Sequence, residues 1–148
     1  MSFTTVEHVV LDLGVGVLDV VLAPRGTKIQ VSDVLIYDQQ DPPYLASAAL
    51  ILAVGMRPPD VAALLPELAE AGAILVIKVA DQLPPYLVAE ARRCAVTVLS
   101  VPAGASWGQI YILMRAVLAG RARSDESSHP AGAAAGDFRA VGRRVGPG

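Results

Sequence analysis

This sequence predicts a single three-layer α/β domain with a mainly parallel sheet, helices on both faces and an edge hairpin near the N-terminus. Two observations carry that expectation. From Leu50 onward, short apolar runs alternate with longer segments of helical period, the pattern of parallel strands joined by right-handed helical crossovers. The punctuation agrees: Pro58-Pro59 and Pro84-Pro85 stand where helices open, and Gly72 follows Glu70-Ala71 where a helix end needs a left-handed cap.

Taken in order, Thr4-Thr5-Val6-Glu7 reads as a capping box, with Glu7 three residues after Thr4. Val6, Val9, Val10 and Leu13 then recur at helical spacing, predicting a first helix over about residues 5–12. Gly14 and Gly16 end it. Residues 17–22 are β-branched enough for a strand, and Pro24-Arg25-Gly26 turns the chain into a return strand over 28–31. Asp19 suits an edge strand, because an unpaired carboxylate in a central one would be costly.

The chain is organised around residues 31–56. There polar, proline-broken segments holding Ser32, Asp33, Asp38, Asp41 and Pro42-Pro43 flank the apolar run 34–37 and lead into the run 48–54. A loop pinned at both ends by buried structure is how rigid scaffolds present recognition residues. Beyond it the expected elements are a strand at 50–54, a helix at 58–71, a strand at 74–79, a helix at 85–94, a strand at 96–101 and a helix at 106–119. The 58–71 helix sets Val61, Leu64, Leu65 and Leu68 on one stripe, with Glu67 and Glu70 outside.

The last helix is apolar over more than half of its circumference. Trp107, Tyr111, Met114 and Leu118 form one stripe, assigned to a homodimer interface, and Ile110, Leu113 and Val117 form another, assigned to the domain's own sheet. A following domain or an unusually wide core stripe are the alternatives. Residues 1–119 are therefore read as the domain and 120–148 as a flexible linker or disordered tail, since 16 of the 28 residues from Arg121 onward are Gly, Ala, Ser or Pro and no hydrophobic period survives. The ending GRRVGPG reads as a linker cut short of a next domain.

Bulk properties narrow the function classes. Mean hydropathy is high at +0.50, yet the longest apolar runs are far short of the roughly 20 residues of a membrane span. No basic residue followed by an apolar core opens the chain, so a cytoplasmic location with no membrane association is expected. Residues 1–120 hold seven Lys or Arg against eleven Asp or Glu, an acidic balance that disfavours direct contact with nucleic-acid phosphates. The single cysteine, Cys94, falls at an inward helical spacing and suits core packing better than redox chemistry.

No catalytic constellation emerges. Gly14-Val15-Gly16 is too short and badly placed for a dinucleotide loop, and no phosphate-binding GxxxxGK[ST] run exists. His8 and His129 lack partners at metal-ligand or triad spacing, and Asp33, Asp38 and Asp41 match no calcium loop and read as solvated turn carboxylates. No metal, cofactor or catalytic residue is assigned. Lys78 interrupts an apolar strand near its carboxyl end, where open α/β sheets place ligand crevices. With Asp81 it makes either a structural salt bridge or a polar-ligand contact, and Gly55 and Met56 at the end of the preceding strand would line the same crevice. The candidate ligand-binding set is thus Ser32, Asp33, Asp38, Asp41, Gly55, Met56, Lys78 and Asp81.

The order of segments KIQVSDVLIYDQQDPPYLASAALILAVGM, a proline-opened helix ending in AEAG, AILVIKV, QLPPYLVAEARRCAVTVLSVP and SWGQI resembles the N-terminal domain of PucR-type (purine catabolism regulator) transcription factors, over about residues 4–119. Val31-Ser32-Asp33-Val34 stands for that family's VSEL, Asp41-Pro42 for its DP, Leu45 for the leucine after it, Ser47-Ala48-Ala49-Leu50 for GGEL and Ala53-Val54-Gly55 for TTG. Ala49 replaces the family's glutamate, and Ala53 and Val54 its threonines. The resemblance implies a non-enzymatic regulatory domain that senses a small molecule, dimerises, or both. DNA binding would lie in domains outside this chain. The competing expectation is a small α/β enzyme or nucleotide-handling domain using Ser32, Asp41, Gly55 and Lys78.

Overall fold

A computed structural model describes the backbone of residues 4–127 and the side chains of residues 4–121. The described residues up to Leu118 form one compact unit, and the packing below is that of this unit. Its helices are α1 (Val6–Leu13), α2 (Pro58–Ala71), α3 (Pro85–Cys94) and α4 (Trp107–Ser127). Its strands are β1 (Asp19–Leu22), β2 (Asp33–Ile36), β3 (Ala49–Leu52), β4 (Ile74–Val79) and β5 (Val98–Pro102).

The strands form one sheet in the order β1-β5-β4-β3-β2. β2 to β5 run parallel, and β1 closes one edge antiparallel to β5. β3 is buried along its whole length, as a central parallel strand covered on both faces must be. Alternate residues feed two cores. Ala49, Ile51, Leu75, Ile77 and Val98 meet Val61, Leu64, Leu65 and Leu68 of α2 and Leu87 and Ala91 of α3. Leu50, Leu52, Ile74, Val76, Leu99 and Val101 meet Val6 and Val9 of α1 and Ile110 and Met114 of α4. The fold is therefore the three-layer α/β arrangement, and α2, β4 and α3 begin and end where periodicity and proline place them.

Four details differ from the expectations. The edge hairpin does not form: β1 pairs with β5, and the supposed return segment makes only a single bridge, Gln30 to Thr5. That segment instead caps α1, whose first N–H groups donate to it, Val6 to the Ile29 carbonyl at 3.0 Å and Glu7 to the Thr27 carbonyl at 2.9 Å. Thr5 is extended, and the N-cap is Thr5 rather than Thr4. The reciprocal partner is His8, not Glu7: the Thr5 hydroxyl accepts from the His8 N–H at 3.3 Å, and His8 Nδ1 accepts from the Thr5 N–H at 3.2 Å. The α4 backbone also stays helical past Ala119 to Ser127; the rest of the expected tail, residues 128–148, lies outside the described residues.

The fourth difference concerns the face of α4. Met114 is wholly buried in the domain's own core, and Trp107, Tyr111, Val117 and Leu118 pack against the same cluster. At about 100° per residue, positions 107, 110, 111, 114, 117 and 118 fall within an arc of about 120°, one ordinary core stripe. Trp107, Tyr111, Met114 and Leu118 thus do not make a separate interface stripe. Among the described residues, the large apolar side chains left outside on this helix are Ile112 and Leu113.

Candidate functional site

The carboxyl ends of β3 and β4 and the amino ends of three helices surround a crevice of about 200 Å³. Ala53, Gly55 and Met56 follow β3, Pro58 and Val61 open α2, Ile77 and Lys78 end β4, Leu83 and Leu87 flank the start of α3, and Trp107 starts α4. Gly55 takes a left-handed conformation, φ 68°, which turns the chain sharply from β3 toward α2 at little cost only for glycine. This is where parallel sheets present ligand sites.

Lys78 is the one ionisable group in the lining. It is exposed, and its Nζ lies 5.5 Å from the centroid of the Trp107 ring, within range of a cation–π attraction. Between Lys78 and Asp81 no salt bridge forms. The indole is half-buried, anchored on the α1/α4 core while its ring reaches the crevice. The floor is apolar, made by Ala53, Val61, Ile77, Leu83 and Leu87, so its attraction for a ligand is hydrophobic below and cationic at the rim.

Gly55, Met56 and Lys78 of the sequence-derived set therefore meet, and the others do not join them. Ser32 lies at the opposite, amino end of the sheet. Its hydroxyl donates to the Ser47 carbonyl, and its N–H donates to the Ala48 carbonyl at 2.9 Å. Asp33 there accepts from its neighbour's N–H on Val34 and pairs with Arg115 of α4 at 2.6 Å. Both residues fasten the start of β2 to its surroundings. Asp38 holds a local turn by accepting from the Gln40 N–H at 2.9 Å, while Asp41 and Asp81 are exposed and outside the crevice lining. A shallower groove of about 220 Å³ runs on from Met56 between Tyr37, Gln39 and the outer face of α2 at Asp60 and Glu67.

Trp107 is the crevice residue that sequence reasoning assigned elsewhere. The available signal was its position: the first residue of a helix that follows a parallel strand must sit at the carboxyl end of the sheet, beside Lys78, because β5 neighbours β4. Among the described residues no cluster of three or more His, Cys, Asp or Glu is arranged to hold a metal ion, and no helix is long and apolar enough to cross a membrane.

No family model matches the chain, and no curated protein or solved structure matches it significantly.

Proposed function

We propose that residues 4–119 are a non-enzymatic regulatory domain of a PucR-type transcriptional regulator, cytoplasmic and homodimeric, taking a small-molecule effector in the crevice between Met56, Lys78 and Trp107. The observation that carries this reading is the backbone at the motif positions. Where the family's GGEL has its second glycine this chain has Ala48, and Ala48 is left-handed at φ 62°; where TTG has its glycine, Gly55 is left-handed at φ 68°. Both are conformations that favour glycine, so the backbone at these two positions supports the resemblance. The serine of the VSEL-like stretch supports the same register, because Ser32 clasps Ser47 and Ala48 at the entry to β3.

In this reading DNA contact belongs to a domain outside the chain, and the crevice binds without transforming its ligand, its lining offering one cation and no partner carboxylate for acid–base work. A thermal-shift screen tests it, using purine-degradation intermediates, nucleotides and small carboxylates. A ligand that binds only the folded state adds about 2.7 kcal/mol at a hundredfold excess over Kd, which is a shift of several degrees. Turnover of a bound compound, or no shift with any of them, overturns the proposal. A monomer in sedimentation equilibrium at tens of micromolar removes its dimeric part.

A further inference from the structure

We infer that the crevice selects a small planar anion, one ring bearing a single carboxylate, with the ring against Leu83, Leu87 and Ile77 and the carboxylate on Lys78 beside the Trp107 ring. This deepens the effector reading above and rests on it. Size comes first: about 200 Å³ is below the ~300–1,000 Å³ of sites for drug-sized ligands, which leaves room for one ring and little more. Shape follows from the walls, which are aliphatic apart from Met56 and one indole, surfaces on which a flat apolar body loses water most favourably.

Charge selection comes from the helix ends in general and from Lys78 in particular. Three helices begin around the crevice, and their amino ends bias the potential toward an anion. Yet α2 opens with Pro58 and Pro59, and α3 follows Pro84 with Pro85. Proline has no N–H, so the first turns of α2 and α3 offer fewer of the backbone donors that usually grip an oxyanion. The one charged donor in the lining is the ammonium of Lys78, 5.5 Å from the centroid of the Trp107 ring at the rim. A carboxylate meeting it forms a charge-assisted hydrogen bond, and a neutral amide of the same shape does not.

Trp107 is the only tryptophan in the chain, so its emission reports on the crevice alone. The test is a titration of the full chain with benzoate, benzamide and benzyl alcohol, followed by Trp107 fluorescence and repeated with Lys78→Gln and with Lys28→Gln as an exposed control. Saturable change with benzoate, about tenfold weaker binding for benzamide, about tenfold weaker benzoate binding by Lys78→Gln and no change with Lys28→Gln are expected. Equal binding of benzoate and benzamide, or wild-type affinity in Lys78→Gln, overturns the anion assignment while leaving the crevice as an effector site. No saturable response to any of the three probes overturns the ligand class, and the effector reading then stands or falls by the thermal-shift screen, which samples other chemistry.

Discussion

The ammonium of Lys78 and the indole ring of Trp107 lie 5.5 Å apart, joining the end of β4 to the start of α4 across the mouth of the crevice. Partly exposed cation–π contacts of this kind contribute about 0.5–1 kcal/mol. A double-mutant cycle of Lys78→Met and Trp107→Leu, read by chemical denaturation, should return a coupling energy in that range. A cycle that closes at zero means that the two side chains are neighbours without mutual stabilisation.

Met114 is fully buried between α4 and the sheet, whereas Ile112, two residues earlier, is 61% exposed. Met114→Glu should therefore cost roughly 4 kcal/mol or more, since it places a carboxylate in an apolar core. Ile112→Glu should leave the melting temperature within a few degrees of the wild type. Far-UV circular dichroism melts distinguish the two, and a folded, stable Met114→Glu protein would return this residue to the surface.

Ala48 and Ala95 are the non-glycine residues with positive φ among the described residues, at 62° and 60°. Ala48 precedes β3, and Ala95 is the left-handed cap of α3. An L-residue pays about 1–2 kcal/mol to sit there, part of which glycine returns to the unfolded chain as entropy. Ala48→Gly and Ala95→Gly should each raise stability by about 0.5–1 kcal/mol in scanning calorimetry. The two positions are independent enough that their effects should add; destabilisation by either change would show that its methyl group does more in packing than its strain costs.

Thr97 is completely buried, and its Oγ1 has no hydrogen-bond partner. A buried, unpaired hydroxyl costs about 1–3 kcal/mol relative to a satisfied one, and valine nearly matches threonine in shape. Thr97→Val should raise the urea midpoint by an amount equivalent to about 1 kcal/mol with an unchanged m-value. A lowered midpoint would mean that the hydroxyl has a partner in solution.

Local sequence was enough for α2, β4 and α3, because hydrophobic period, opening prolines and the cap at Gly72 all act within a turn or two of the chain. It was enough too for Gly55, Met56 and Lys78, since residues that end successive parallel strands share one end of the sheet. Proximity along the chain misled where a strand intervenes. Ser32 precedes β2, Asp33 opens it and Asp38 lies beyond its end, and the ends of four extended residues are about 10 Å apart. Which strand β1 joins, and that residues 27–31 cap α1 instead of completing a hairpin, depended on partners 70 or more residues away for β1 and on the competing demand of α1's free N–H groups for acceptors. Tertiary packing likewise decided that the wide apolar surface of α4 is a single core stripe. The helix crosses the sheet from the Trp107 crevice to the Asp33–Arg115 pair, and only that docking turns Met114 inward and leaves Ile112 and Leu113 in solvent.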